Sequence, residues 1–255
     1  VGAGYIGLAV AATAKKMGLK TTVFEAEKRI MQRSASKEIS NFIKSHHEKM
    51  GVEFKLNTTA ERIEPTDKGV NIDLSDGKGS NPDFVVIGVG VQAASSIAED
   101  AGLDCSNGIL VDENCLTNDK NIYAAGDCVN YYFSRYGTRR RLESVQNAID
   151  QAAIVSSSIV GEPIVYNSTP WFWSDQYDLK LKIAGLSQES DLIVIRGKTE
   201  ELKFSACHFK ENKLIAVECV NDQKTFMLGK KLIETESSIT PEAMENTLTN
   251  LKDWR

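Results

Sequence analysis

Gly2-Ala3-Gly4-Tyr5-Ile6-Gly7 is a G-x-G-x-x-G run, and Glu25 follows at about the 20-residue interval at which such turns place an acid. In that arrangement Gly2 permits a tight turn, Gly4 lets backbone approach a pyrophosphate, and Gly7 allows close packing of the helix that follows. The helix N-terminus presents free N–H groups and a positive dipole end to the phosphates. Tyr5 and Ile6, carried on the same turn, are candidate contacts with it. Glu25 would accept hydrogen bonds from a ribose 2′-hydroxyl and repel a 2′-phosphate, which favours NAD over NADP. Lys28 and Arg29 temper that preference, and Arg29 joins the candidate contacts. The other reading is a glycine turn that serves packing alone.

The elements that must position these residues are legible around them. Apolar residues at Val10, Ala11, Ala14 and Met17 have helical spacing, closed by Gly18. Thr21 to Glu25 reads as a buried strand ending in the acid. Ser36 caps a helix carrying Ile39, Phe42, Ile43 and Met50, which Gly51 ends before a strand at Val52 to Leu56. Residues 60–66 and 70–75 read as an antiparallel pair. Phe84-Val85-Val86-Ile87 reads as an apolar strand of a parallel sheet, running into Gly88-Val89-Gly90 and making Gly90 a further candidate contact. Beyond it come a short helix near Ser96, a strand at Ile109 to Val111, and a helix from Ser144 to Val160. Residues 163–170 read as a linker. Strands at 178–184, 192–196, 202–209 and 214–220, then helices near 222–234 and 241–251, predict a compact α+β domain.

The segment from Thr117 to Asp127 ends Ile122-Tyr123-Ala124-Ala125-Gly126-Asp127. It resembles the second FAD fingerprint of two-dinucleotide-domain flavoprotein reductases. Arg141 to Ala148 and Pro170 to Gln176, which includes Trp171-Phe172-Trp173, narrow the resemblance to the NADH-dependent ferredoxin and rubredoxin reductases that serve oxygenases, the putidaredoxin-reductase-like family. The resemblance runs through the whole chain. It implies that Asp127 binds a ribityl hydroxyl of FAD, that the 144–160 helix aims its N-terminus, with Val145, at the flavin pyrimidine edge, and that Trp171 and Trp173 stand beside the isoalloxazine. A helix N-terminus stabilises the negative charge of a reduced flavin by roughly 0.3–2 kcal/mol. Pro170 to Trp173 also reads as an interdomain hydrophobic plug. One departure is Ala9, where the family commonly carries a Glu near the nicotinamide.

The implied fold is α/β: a doubly wound, Rossmann-like NAD domain over 1–90, part of an FAD domain over 91–165, and a C-terminal α+β reductase domain over 166–255. The implied activity passes electrons from NADH through FAD to a ferredoxin-like or rubredoxin-like protein. Related NADH modules of nitrite-reductase type, monodehydroascorbate-type reductases and disulfide reductases share the fingerprints; the Trp-Phe-Trp segment and the C-terminal domain argue against them. A binding module resembling apoptosis-inducing factor would need a broad basic face, and a net charge of −5 argues against that and against nucleic acid. Arg139-Arg140-Arg141 reads either as a solvated loop or as a local basic cluster that docks an acidic iron–sulfur protein. His46, His47 and His208 lack metal-ligand spacing, and the five cysteines, Cys128 among them, include no C-x-x-C pair. With no membrane-spanning run or signal peptide in the sequence, the expectation is a cytoplasmic protein. The chain opens at Val1, one residue before a glycine run that ordinarily follows a strand. That predicts a sequence cut at its N-terminus, without the first FAD half, which alone would fold poorly and hold FAD weakly.

Overall fold

A computed structural model describes residues 1–164 and 168–254. Helix α1 (Tyr5–Lys16) starts directly after Gly4, buries Leu8, Ala11 and Ala12, and ends before Gly18 at φ +79°. Strand β1 (Thr21–Phe24) leads through a loop to α2 (Lys37–Lys49), whose N-terminus is capped by the Ser36 hydroxyl accepting from the Ile39 N–H. Strand β2 (Val52–Lys55) runs parallel to β1, with Thr21 opposite Val52 and Phe24 opposite Lys55. Two parallel strands bridged by a helix set the end of β1, and with it Glu25, beside the glycine turn. Strands β3 (Ala60–Thr66), β4 (Gly69–Leu74) and β5 (Gly79–Ser80) form the expected antiparallel excursion, with one short strand more than the sequence suggested.

Helix α3 (Ser96–Asp100) precedes β6 (Ile109–Leu110), which lies parallel to β7 (Val129–Phe133), and β8 (Thr138–Arg141) returns antiparallel to β7. Helix α4 (Val145–Ile159) follows. The C-terminal sheet is formed by β9 (Trp171–Gln176), β10 (Leu179–Gly185), β11 (Leu192–Lys198), β12 (Lys203–Lys210) and β13 (Lys213–Val220), ordered β11-β12-β13-β10-β9 and antiparallel throughout. Helices α5 (Gln223–Glu234) and α6 (Pro241–Glu245) complete it. Among the described residues no helix is long and apolar enough to cross a membrane.

The sheet has two apolar faces. One packs Leu179, Leu181, Ile183 and Phe204 against Ala3, Leu8, Ile39 and Ile43, so the glycine turn and the C-terminal sheet share a core. The other packs Ala184, Phe209 and Val217 under Phe226 and Leu232 of α5. Residues 165–167 of the expected linker, and the domain boundary placed there, lie outside the described residues.

Three expectations are corrected. Residues 84–87 form no strand: Phe84 and Ile87 are each 60% exposed, and the ladder beside them is one residue long, Val1 donating to the Val86 carbonyl and accepting from the Gly88 N–H. Arg139 to Arg141 lie on β8 rather than on a loop. The helix expected over 241–251 stops at Glu245 because Arg196, 7% exposed, donates to the carbonyls of Met244, Asn246, Thr247 and Thr249, holding them out of a helical ladder.

The histidine pair clasps the two halves of the shared core. His47 is fully buried, 2.7 Å from Gln176 Oε1, with its ring edge-on to Tyr177, while His46 lies 3.1 Å from the Asp178 carboxylate. Burial lowers the His47 pKa, against the Gln176 hydrogen bond and with some help from His46. The unfolded chain therefore takes up this proton near pH 6.5 while the folded chain still refuses it, so stability is full above that pH and is lost as pH falls through the lower, folded value. Denaturant midpoints measured from pH 7.5 to 5.5 are expected to fall, and His47→Gln to flatten the slope. An unchanged slope in the variant contradicts this assignment.

Candidate functional site

The glycine turn is locked at two positions and open at a third. Its first N–H, on Gly2, donates to the Phe24 carbonyl at 2.8 Å, anchoring the turn to the end of β1. Gly2 sits at φ +96°, and a Cβ there would lie 2.3 Å from the Gly88 carbonyl oxygen. A Cβ on Gly7 would lie 2.0 Å from the Gly2 carbonyl oxygen. Gly4 has an ordinary φ of −79°, and a Cβ there would meet nothing within 4 Å. The protein's own packing thus requires glycine at positions 2 and 7 and does not require it at 4. The space that Gly4 leaves lies at the start of α1, which no side chain caps and whose first turn holds no acid. Uncapped N–H groups facing open space suit a phosphate.

Glu25 stands beside this turn. Its carboxylate accepts from the Ala3 N–H at 2.6 Å and from the Glu27 N–H at 2.9 Å, which fixes it at the rim of the turn. Ile6 is 68% exposed on the same turn. Tyr5 is turned inward: its hydroxyl donates to the Ser34 carbonyl at 2.8 Å and its ring packs edge-on against Phe172 at 4.7 Å. Burial pushes its pKa well above 10, so it is a neutral phenol. Arg29 is also turned inward, donating to the carbonyls of Gln32, Ala35 and Ser36 and to the Ser40 hydroxyl. Its guanidinium closes the 29–36 loop instead of facing a nucleotide. Gly90, exposed at φ +113°, presents the position of an absent Cβ 3.7 Å from Arg33.

A second locus lies at the start of α4. Gly126, buried at φ +90°, donates its N–H to Gln151 Oε1 at 2.8 Å, and its missing Cβ would touch Ala148 of α4 at 3.7 Å. Asp127 follows, exposed, with its main-chain carbonyl accepting from Arg141 at 3.1 Å. Arg141 also reaches the Val91 carbonyl at 3.3 Å and pairs with Glu143, so it ties the segment after Gly90 to Asp127. Val145 is 60% exposed at the first turn of α4, which Ser144 caps by accepting from the Asn147 N–H. Arg139 donates to the Val111 and Asn130 carbonyls. Two of the three arginines expected to face a partner are thus bound to their own chain.

Strand alternation sends the members of Trp171-Phe172-Trp173 to opposite faces of β9. Phe172 points into the shared core and meets Tyr5, which is the plug. Trp171 and Trp173 point the other way, 5.6 Å apart, on the edge strand β9. Trp171 rests on Phe226, and Trp173 is 46% exposed. Helix α4 packs against β9, the strand that carries the tryptophans. Among the described residues no cluster of His, Cys, Asp and Glu could hold a metal, and all five cysteines are free. Gly88, Arg141, Gln151 and Phe172 hold the candidate residues in place through backbone contacts or packing, which no local motif announces.

The profile of the pyridine nucleotide-disulphide oxidoreductases matches residues 1–152 of this chain. The chain belongs to that family. A reductase C-terminal profile matches residues 171–255, the span of the C-terminal sheet and its helices. Rhodocoxin reductase of Rhodococcus erythropolis is 40% identical over 253 residues, covering 99% of this chain and 59% of that protein. The crystal structure of a ferredoxin reductase from Rhodopseudomonas palustris superimposes with a TM-score of 0.95 at 42% identity, over 99% of this chain and 63% of that one. The reductase in a covalent putidaredoxin reductase–putidaredoxin complex gives the same TM-score at 32% identity, over 99% of this chain and 61% of that one. The chain thus spans about three-fifths of the length of these relatives. A Rossmann-like fold around the glycine turn agrees with that membership.

Proposed function

We propose that this chain carries the NADH site and part of the FAD site of a reductase that passes electrons to a small iron–sulfur protein of ferredoxin or rubredoxin type. One observation carries the reading: the Tyr5–Phe172 contact joins the nucleotide turn to the strand bearing Trp171 and Trp173, so a nucleotide end and an exposed aromatic edge belong to one body. FAD, when bound, supplies the redox chemistry, taking a hydride from reduced nicotinamide and releasing the two electrons singly.

The protein's residues bind and orient. Gly2 and Gly7 hold the turn, Gly4 leaves room for the pyrophosphate, and α1 directs its N-terminal N–H groups there. Glu25, already fixed by two backbone N–H groups, offers its carboxylate to a ribose and supports NADH over NADPH. Asp127 and Val145 stand exposed at the α4 locus for FAD, and Trp173 is the more open of the two paired tryptophans, available to a protein partner. The division into 1–90, 91–165 and 166–255 and a cytoplasmic location complete the proposal. The matches to rhodocoxin reductase and to the putidaredoxin-bound reductase support the acceptor class.

Anaerobic stopped-flow mixing of the flavin-loaded protein with NADH is expected to bleach the oxidised flavin band, faster than NADPH does, and Glu25→Ala to erode that preference. Absence of bleaching would refute the reductase reading. Equal loss for both nucleotides in Glu25→Ala would refute the role of the acid.

A further inference from the structure

Across the C-terminal sheet, Phe172, Ile183, Glu218, Ala206 and Ile195 stand opposite one another in register on β9, β10, β13, β12 and β11. Four of the five are apolar. The fifth, on the central strand, is a carboxylate with no exposure to solvent. Replacing a buried ionic group together with its partners by packed apolar residues is often neutral or stabilising, so stability alone gives little reason for an acid.

Its partners give a better one. The Glu218 carboxylate accepts from the Ser36 N–H at 3.0 and 3.2 Å and from the Ser187 hydroxyl at 3.0 Å, and lies 3.5 Å from His208 Nε2. His208 is itself buried, with Nδ1 3.3 Å from the Ser190 hydroxyl. Burial alone would raise the pKa of Glu218, but His208 and Ser36 outweigh it and lower the value, so the group is an anion. Ser36 ends the 29–36 loop, and that loop grips the glycine turn twice. The Met31 N–H donates to the Ala3 carbonyl at 3.0 Å, and the Ser34 carbonyl accepts the Tyr5 hydroxyl at 2.8 Å. The opposite side of the loop is closed by Arg29 on the Ala35 and Ser36 carbonyls. A continuous path of hydrogen bonds therefore runs from the middle of the C-terminal sheet to the glycine turn.

We propose that Glu218 is a positioning residue for the nucleotide site: the C-terminal sheet uses this buried carboxylate to hold the 31–36 loop, and through it Ala3 and Tyr5, in the conformation that binds the dinucleotide. The proposal rests on the nucleotide assignment above. A charged acceptor holds an N–H more firmly and in a narrower geometry than a neutral one, which is the property a positioning contact needs. The path also passes through Tyr5 to Phe172, so nucleotide affinity and the tryptophan strand share one support.

The test is titration calorimetry of the oxidised, flavin-loaded protein with NAD+, which reads binding without turnover, in the parent, Glu218→Gln and Glu218→Met. Both variants are expected to melt below the parent, Glu218→Met further because it strands the Ser36 N–H, and, titrated well below either melt, to bind NAD+ about tenfold more weakly, as a coupling across a packed network does. The limiting rate of flavin bleaching at saturating NADH is expected to change less than about twofold, since the path reaches the turn and not the redox edge. Tyr5→Phe cuts the path at its other end, and combined with Glu218→Gln it is expected to weaken binding no further than the worse single variant. Should the Glu218 variants not fold, Ser187→Ala removes one hydrogen bond from the carboxylate and is expected to weaken binding two- to threefold. Folded variants, or a folded Ser187→Ala, that bind NAD+ as the parent does would overturn the proposal, as would strict additivity with Tyr5→Phe. A parent that does not bind NAD+ would sink the nucleotide assignment and this inference together.

Discussion

Gly4→Ala is expected to melt within about 2 °C of the parent and yet to bind NADH at least tenfold more weakly. The first half follows from conformation and space: φ is −79°, nothing lies within 4 Å of the new Cβ, and an unconstrained surface change costs about 0.5 kcal/mol or less. The second follows from what the space is for. A methyl group in front of the uncapped end of α1 holds a pyrophosphate away from the N–H groups meant to receive it, and tenfold corresponds to about 1.4 kcal/mol. Gly7→Ala is the contrasting case. Its Cβ would sit 2.0 Å from the Gly2 carbonyl oxygen, so the turn must move, at a cost of about 1–3 kcal/mol in stability as well as in affinity. Thermal melts paired with NAD+ titration separate the two. A Gly4→Ala protein that binds like the parent would leave the glycine there without a ligand to explain it.

What could be read beforehand was what local chemistry encodes. The glycine pattern, the acid at the end of β1, the Ser36 cap and the alternation of β10 to β13 each depend on a few neighbouring residues, and the structure contains them. What escaped depends on residues distant in sequence. Arg29 looks like a basic side chain beside a phosphate site, but four acceptors between Gln32 and Ser40 claim its guanidinium. Arg139 and Arg141 form a basic run in sequence, while β8 pairing delivers both to backbone carbonyls. Phe84 to Ile87 has strand composition, yet composition does not supply the neighbouring backbone whose ladder defines a strand. Trp171-Phe172-Trp173 reads as a plug or as a cofactor contact because composition does not say that alternate residues on an edge strand point to opposite faces.

Asp127→Ala is the second large effect, expected to empty the protein of flavin without unfolding it. The structure separates the side chain from its scaffold. The peptide around it is fixed by others: Gln151 takes the Gly126 N–H, Arg141 takes the Asp127 carbonyl, and Gly126 sits at φ +90°, a conformation that favours glycine. The carboxylate is left exposed, free to accept from a ribityl hydroxyl. A hydrogen bond to a charged acceptor contributes about 1.5–3 kcal/mol, so its removal weakens FAD binding roughly 10- to 150-fold. Purified Asp127→Ala should show a low ratio of flavin to protein absorbance and a flavin-free melt matching that of flavin-free parent. Gln151→Leu marks the other side of the distinction. It strands the buried Gly126 N–H at a cost of about 1–3 kcal/mol, so it should lower the flavin-free melt and flavin content together. Full flavin occupancy in Asp127→Ala would move the ribityl contact elsewhere, and a Gln151→Leu melt equal to the parent would show that the glycine turn needs no such support.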